Sequence, residues 1–287
     1  MSLAPGAKRI RLKGISKDAF ITGPDLAALE NIKKLPVLPQ LIQKFNEHAL
    51  DRVLYVHNTA SAVRCGPEQF PTLDKLLQEA CRTLDVKEPE LYVRYNVVDN
   101  AYTAGVERPF IVLNSPIIDT LTDDELLYVI GHELGHIKCA HVLYQMIGVI
   151  LIPLLRLIGS MTLGLGALAG QGVVAVFYEW MRQTEYTCDR AGLLVCQDPM
   201  IALSAQMKLG AGHTRLSGEM NVESFLQQAR GYVDHKPEDG LAKALLFLMY
   251  KWQLTHPEIV HRAKAIDEWA RTGAYQEILA GSYAKDA

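Results

Sequence analysis

Residues 129–141 read VIGHELGHIKCAH. This stretch contains an H-E-x-x-H pattern, with His132 and His136 four positions apart and Glu133 directly after the first histidine. Residues four apart lie on one face of an α-helix, so both imidazoles can reach one cation. Zinc accepts neutral imidazole ligands and acidifies a bound water, whose proton an adjacent carboxylate can take. The stretch therefore predicts a helix with half of a zinc site and a general base for attack on a peptide carbonyl.

The segment before the motif indicates where its helix begins. TDDE at 122–125 forms a capping box, with Thr122 as N-cap and Glu125 three residues later, ten residues before His132. Apolar spacing predicts further helices, while two β-type runs, 91–98 and 109–116, flank a turn-rich segment at 99–108. Residues 1–24 are expected to be a loosely structured lead-in. The predicted helices are 25–35, 39–56, 70–86, 173–196, 200–210, 222–232, 241–254 and 257–271.

Composition excludes some function classes. The 287-residue chain has a net charge of −3 and pI near 6.3 and so lacks the basic field that a nucleic-acid binder needs. Its five cysteines form no C-x-x-C pair, which favours a reducing compartment over a disulfide framework. No apolar run follows the basic N-terminal residues, so no secretory signal is expected.

The third metal ligand decides the type of site. A metzincin would need glycine and histidine at the positions of Cys139 and Val142, which excludes that type. His141 is one residue out of register, so we expect it to pack or hydrogen-bond near the helix end. The remaining candidate is a carboxylate from a second helix.

WMRQTEYTCDRAG at 180–192 supplies such a carboxylate. Glu185 and Asp189 lie four apart on one helical face, so Glu185 can bind the metal and Asp189 can orient a ligand histidine. The alternative is a solvated acidic face paired with Arg182 and Arg190. The otherwise apolar character of this helix argues against it.

These motifs resemble those of the gluzincin metallopeptidases. More narrowly, HELGH followed by ExxxD some fifty residues later is similar to metallopeptidase family forty-eight, the HtpX and CAAX-prenyl-protease-type enzymes. Three further segments agree: NAYTAG at 100–105, the run at 109–137 into the motif helix, and THPEIVHRAKAI at 255–266. The resemblance covers roughly residues 70–270. It implies an α+β fold, a mainly helical metallopeptidase domain with a small β-sheet whose edge strand lines the active-site cleft.

The resemblance also implies roles for the motif residues. His132, His136 and Glu185 would be the ligands of one Zn²⁺ per chain. Glu133 would be the general base and later the proton donor, and Asp189 would orient a ligand histidine.

Other roles rest on the flanking segments. Asn100 and Ala101 would pair with the substrate backbone like an added strand. His256 and Arg262 fall where the family places polar groups near the metal, which could stabilise the oxyanion. The alternative is that they only begin a helix, because Thr255 and Glu258 make a capping box there.

The sequence departs from the family pattern in two places. Cys188 stands where alanine usually precedes the aspartate; we expect it to pack as a small hydrophobe, although a thiol near zinc would make the site oxidation-sensitive. Ala263 and Lys264 follow Arg262 where the family has isoleucine.

Domain boundaries and location follow from the remaining segments. We expect an N-terminal helical extension at 1–65, a zinc metallopeptidase domain at 66–272 with an apolar hairpin insert at 142–178, and a C-terminal tail at 273–287. The insert contains a single charge, Arg156, and residues 157–178 are long enough to span a bilayer. Their five glycines make a poor continuous helix and could form a gate over the cleft.

The preferred hypothesis is a zinc-dependent metalloendopeptidase acting on peptide or unfolded protein substrates. We expect it to be cytoplasmic or peripherally membrane-associated, with 142–178 contacting a membrane surface or lipid. One alternative is an integral-membrane processing protease for lipidated or membrane substrates. Another is a zinc-bound, non-catalytic, chaperone-like protein in which residues 1–65 cover the cleft. An intact Glu133 argues against it, because a purely structural site needs no base.

Overall fold

A computed structural model describes residues 9–35, 38–47, 50–148, 165–212, 215–233 and 257–286. Helices dominate these residues, and four short strands form one sheet, as the sequence predicts. The strands are β1 (Val63–Arg64), β2 (Glu90–Arg94), β3 (Ala101–Ala104) and β4 (Phe110–Asn114). The helices are α1 (Gly23–Lys33), α2 (Leu38–Glu47), α3 (Leu50–Ser61), α4 (Pro71–Leu84), α5 (Ser115–Thr120), α6 (Asp123–Lys138), α7 (141–148), α8 (Leu165–Cys196), α9 (Pro199–Ala211), α10 (Val222–Val233), α11 (Ile259–Ala270) and α12 (Gly273–Leu279), with 3₁₀ turns at Lys17–Ala19 and Ser217–Glu219.

The sheet has the strand order β1-β2-β4-β3. β2 pairs with β4 in parallel, and β3 pairs with β4 antiparallel with Ala101 opposite Leu113. The segment 99–108 was predicted to be a turn, and this was wrong in part, because β3 lies within it. Four residues are too few for a convincing alternation, and the turn chemistry resides in Gly105, whose φ is +84°. β3 is an edge strand of the sheet.

Helix α6 carries the H-E-x-x-H motif. Its capping box is formed as predicted, with the Thr122 side chain accepting from the Glu125 N–H and Glu125 reaching back to the Thr122 N–H. Glycines let α6 approach α8 closely: a Cβ on Gly131 would lie 2.6 Å from Val195, and one on Gly135 would lie 2.8 Å from Ala191. This close packing brings the motif histidines beside the carboxylates of α8.

Helix α8 is longer than predicted. It runs without a break over Leu165–Cys196, so residues 165–178 are helical despite their glycines, which the sequence analysis took as unfavourable for a continuous helix. One reason is packing: Val174, Phe177 and Trp180 are buried together with residues of α1. Tertiary burial outweighs the weak helix propensity of glycine.

The chain termini are packed against the domain. Leu12, Ile15 and Phe20 are almost fully buried in the main core, so residues 9–24 are not the loose lead-in that composition suggests. Ile15 pairs with Lys285 in a β-bridge, and Tyr275 of α12 is buried in the same core. The described parts of 1–65 and 273–287 thus share the core of the central segment.

Several predictions fall partly or wholly outside the described residues. They include residues 1–8 of the lead-in, residues 48–49 of the helix predicted at 39–56, residues 149–164 of the apolar insert, the helix at 241–254, Thr255 of the second capping box, and His256. In the described part of the chain, no helix combines the length and the apolar character required to cross a membrane.

Candidate metal centre

Two imidazoles and one carboxylate converge between α6 and α8. His132 Nε2 lies 3.4 Å from Glu185 Oε2, and His136 Nε2 lies 3.6 Å from Glu185 Oε1. All three side chains are buried. The structure thus brings together the three ligands that the resemblance implies, and two imidazole nitrogens with a carboxylate oxygen form a donor set that suits zinc.

Asp189 lies one helical turn beyond Glu185 and contacts the other nitrogen of the first motif histidine. Its Oδ1 is 3.0 Å from His132 Nδ1. Tyr128 donates to the same oxygen at 2.8 Å, and Arg262 donates to both carboxylate oxygens, at 2.6 and 2.9 Å. Burial opposes ionisation of Asp189, but Arg262 and His132 hold its pKa far below the ordinary value. Asp189 is therefore a fixed negative charge behind His132.

The electrostatics of this cluster favour a cation. Burial by itself lowers the pKa of His132, but hydrogen bonds and charge from Asp189 and Glu185 outweigh burial and raise the pKa to about 10. Arg262 Nη1 lies 3.3 Å from Glu185 Oε2 and supplies further positive charge. Asp189 is thus paired with Arg262 and Tyr128, whereas Glu185 faces the Nε2 atoms of both histidines, where a metal ion would bind.

Glu133 lies on the same helix and faces the cleft. Thr103 of β3 donates its hydroxyl to Glu133 Oε2 at 2.6 Å and lies 3.2 Å from the Glu133 carbonyl oxygen. This contact links the edge strand to the motif helix. Thr103 is not among the predicted site residues, although its position in NAYTAG, the segment expected to lie beside the substrate, is a signal.

His136 has a polar contact behind its ring as well. Its Nδ1 lies 3.3 Å from His141 Nδ1 and 3.1 Å from Gln145 Nε2. His141 is fully buried, as its predicted packing role requires, and its Nε2 lies 3.2 Å from Asp25 Oδ2 of α1. Burial lowers the pKa of His141 in spite of Asp25, so this imidazole is neutral at neutral pH. Asp25 has no sequence signature that would have indicated this contact.

Cys188 offers a competing ligand. A nitrogen of His132, a nitrogen of His136 and the Cys188 sulfur all lie within 4.8 Å of one another. However, Cys188 is fully buried, its Sγ faces the backbone of Gly135 and His141 Nδ1, and burial raises the pKa of the thiol well above its ordinary value. Glu185 lies 3.4 and 3.6 Å from the two histidine Nε2 atoms, so the structure places two candidate third ligands, Glu185 and Cys188, beside the histidine pair.

Two cavities flank the metal centre, and Glu133 and Glu185 line both. One, of about 150 Å³, also contains His132 and Arg262, and the other, of about 280 Å³, also contains His136. Asn100 and Ala101 line both cavities as well, so β3 runs along the cleft as predicted. Among the described residues, none from 1–65 lines either cavity.

Pairing within the sheet decides which backbone groups of β3 are free. The Asn114 N–H donates to the Asn100 carbonyl at 2.9 Å, so Asn100 is paired inward with the sheet. Alternation in an antiparallel pair then turns the N–H and C=O of Ala101 and Thr103 toward the open edge. Ala101 therefore offers its backbone to the cleft, whereas Asn100 can offer its side chain.

Comparisons with known proteins agree with this geometry. Residues 67–270 match the model of Peptidase family M48. The Arabidopsis thaliana protein named "Plastoglobule-localized metallopeptidase 48, chloroplastic" is 35% identical over 251 residues, which cover 86% of this chain and 71% of that protein. A "Protease HtpX homolog" of Persephonella marina is 24% identical over 227 residues, covering 71% of this chain and 76% of the relative. No solved structure matches the chain.

Proposed function

The chain belongs to Peptidase family M48 and is a metalloprotease, and from this premise we propose that it is a zinc metalloendopeptidase with Glu133 as general base. The observation that carries the proposal is the convergence of His132 Nε2, His136 Nε2 and Glu185 beside Glu133, at the bottom of a cleft bordered by an edge strand.

We propose that His132, His136 and Glu185 hold one Zn²⁺ per chain. When bound, zinc supplies Lewis acidity to the scissile carbonyl and lowers the pKa of water beside it to about 7. Asp189 accepts the Nδ1 proton of His132, so that Nε2 is the ring nitrogen that would lose its proton and bind the metal. Tyr128 and Arg262 hold the Asp189 carboxylate in place.

Glu133 performs the proton transfers of the proposed reaction. Its Oε2 accepts from Thr103, which leaves Oε1 to take a proton from the attacking water. The same oxygen then delivers that proton to the leaving amine nitrogen as the peptide bond breaks. The Glu133 carboxylate thus carries the proton from the water to the leaving amine, and no covalent bond forms between the substrate and the protein.

The substrate class follows from the cleft. An extended peptide or unfolded protein segment can add to the free edge of β3, through the N–H and C=O groups of Ala101 and Thr103. Asn100 would contribute its side chain. Because these contacts involve substrate backbone, they give affinity without sequence selectivity, and the two cavities must supply the side-chain preference.

The sequence predicts that Arg262 and His256 lie near the oxyanion. Arg262 lines the cavity that contains His132 and Glu133, which supports a role close to the reacting carbonyl. Its guanidinium is also bound to Asp189, so we propose that Arg262 acts mainly by positioning that carboxylate. His256 lies outside the described residues, and its role stays a prediction.

We further propose peripheral association with a lipid surface. One relative is named as plastoglobule-localized, and Tyr95 and Val97, in the loop before β3, are more than four-fifths exposed although apolar. Flotation with phospholipid-coated oil droplets tests this. Wild type should float and Val97→Asp should float less, whereas wild type remaining in the dense fraction would exclude the proposal.

The experiment that tests the function is digestion of an unbiased peptide mixture, read by mass spectrometry. Wild type with one zinc per chain should cut internal peptide bonds, and Glu133→Gln should retain zinc but lose cleavage by about 10²-fold or more. Cleavage only at peptide ends would contradict an endopeptidase. Wild type that holds zinc but cuts nothing would contradict the proposed function.

A further inference from the structure

We propose that Asp25 and His141 are positioning residues for the metal ligand His136, so that the N-terminal segment forms part of the metal centre. This inference rests on the proposed metal site. It assigns a role to α1, which lies before the residues that match the family model.

The contacts that run from His136 through His141 to Asp25 can all donate hydrogen bonds in one direction. With its Nε2 on the metal, neutral His136 carries its proton on Nδ1, which faces both His141 Nδ1 at 3.3 Å and the side-chain amide of Gln145 at 3.1 Å; we assign the proton to the contact with His141. His141 can accept there only if its own proton is on Nε2, and this atom lies 3.2 Å from Asp25 Oδ2. Each ring therefore donates in the direction of the carboxylate, away from the metal.

The environment of His141 and Asp25 favours this role over a surface contact. Asp25 and His141 are completely buried. Asp25 Oδ2 lies 3.2 Å from His141 Nε2, at ion-pair distance, and is the acidic oxygen that faces this nitrogen. A buried carboxylate is costly unless polar groups surround it, and His141 is one of the groups that face Asp25.

A residue of α8 also holds the Asp25 carboxylate in place. Thr187, two residues after Glu185, donates its hydroxyl to Asp25 Oδ2 at 2.7 Å, and the Thr22 N–H donates to Thr187 Oγ1 at 3.2 Å. Thr22 also caps α1 by accepting from the Asp25 N–H. The start of α1 is thus bound to the helix that supplies the third ligand.

A strained residue aims His141 back at the metal centre. Ala140, between α6 and α7, has φ of +56°, a left-handed conformation that costs a non-glycine residue free energy. It follows the C-cap of α6 and lies directly before His141, whose Nδ1 faces His136.

The contacts of His136 with His141 and Asp25 resemble the contact of the other ligand histidine, His132, with Asp189. His132 is held by Asp189 directly, whereas His136 reaches its carboxylate through a second imidazole. Removing such an outer partner typically weakens metal binding by about 10–100-fold. A residue that only packs α1 would not have this effect.

The test measures zinc affinity of the full-length chain by competition with a chromophoric chelator. Asp25→Asn and His141→Gln should each weaken affinity by about 10–100-fold, and the double variant should lose little more than either. Leu29→Ala is the control, because Leu29 is an apolar residue of α1 that packs in the hydrophobic cluster shared with α8. It should stay within about threefold of wild type. Wild-type affinity in Asp25→Asn, or an equal loss in Leu29→Ala, would overturn the inference.

A second measurement uses the wild-type protein and so does not depend on whether a variant folds. In the zinc-loaded wild type labelled with ¹⁵N-histidine, the His136 Nδ1 proton should show scalar coupling to His141 Nδ1 across the hydrogen bond. Absence of this coupling would overturn the inference. Failure of the proposed function gives a different result: affinity and coupling behave as described, yet no peptide is cut.

Discussion

Thr103 Oγ1 lies 2.6 Å from Glu133 Oε2, so a hydroxyl on the edge strand holds the carboxylate of the motif helix. The strand proposed to bind the substrate backbone therefore also orients the proposed base. In the proposed mechanism, Thr103 would thus couple substrate binding at β3 to proton transfer at Glu133.

Replacing Thr103 tests this coupling. Thr103→Val removes a hydrogen bond to a charged group, worth about 1.5–3 kcal/mol, and should lower kcat by about 10–100-fold. KM should change little, because the β3 backbone is unaltered. Steady-state cleavage of a peptide substrate measures both. Thr103→Ser keeps the hydroxyl and should retain most of the activity; equal activity in the valine variant and wild type would show that Thr103 does not orient the base.

The third ligand can be tested by metal content. Glu185→Ala should lose most of its zinc on gel filtration, because it removes the carboxylate that meets both Nε2 atoms. Cys188→Ala should keep one zinc per chain, since the buried thiol contacts His141 and Gly135. His141→Ala should also stay loaded at micromolar zinc, with weaker affinity. Zinc loss in Cys188→Ala with retention in Glu185→Ala would mean that the thiol is the ligand.

The sequence predicts much of this site, because local periodicity and capping determine where a helix displays its side chains. The H-E-x-x-H spacing and the Thr122 capping box place His132 and His136 on one buried face of α6, and the capping box is formed as predicted. The E-x-x-x-D spacing likewise places Glu185 and Asp189 on one face of α8. The family assignment and the mainly helical α+β fold are confirmed.

Contacts distant in sequence could not be predicted. Asp25 and His141 are 116 positions apart, and only the packing of α1 on α8 brings them together. β3 was read as a turn because four residues carry too little periodicity, and the buried lead-in at 9–24 has no helical or strand pattern. Such segments obtain their structure from the core on which they pack.

Close packing of α6 on α8 leads to a stability prediction. In Gly135→Ala the added Cβ would lie 2.8 Å from Ala191 Cβ and 3.1 Å from Cys188 Cα, so the helices must separate, at a cost of about 1–3 kcal/mol. Urea unfolding with a chelator present measures this without a contribution from metal. Gly172→Ala, an exposed α8 position with nothing within 4 Å, should be neutral or stabilising. Equal stability of Gly135→Ala and wild type would show that the interface can expand at no cost.

The start of the motif helix gives the protein an acid-sensitive contact. Glu125 accepts from Ser204 at 2.6 Å, from Lys208 at 2.7 Å and from the Thr122 N–H at 2.8 Å, which connects α6 to α9. Burial alone would raise the pKa of Glu125, but Lys208 and Ser204 outweigh it and lower the pKa below its ordinary value of 4.5. A carboxyl whose folded pKa is depressed stabilises the protein above its unfolded pKa, and this stabilisation is lost as pH falls through the folded value.

Glu125→Gln should therefore be less stable than wild type at pH 7, by about 1.5–3 kcal/mol, and the difference should shrink as pH falls below about 4.5. Urea unfolding of both proteins between pH 7 and pH 3.5, with a chelator present, measures this. Glu179→Gln is the control, because the half-exposed Glu179 pairs with Arg182 at the surface, where an ion pair contributes little. A stability difference that stays constant across this pH range would show that the charge of Glu125 does not stabilise the junction of α6 and α9.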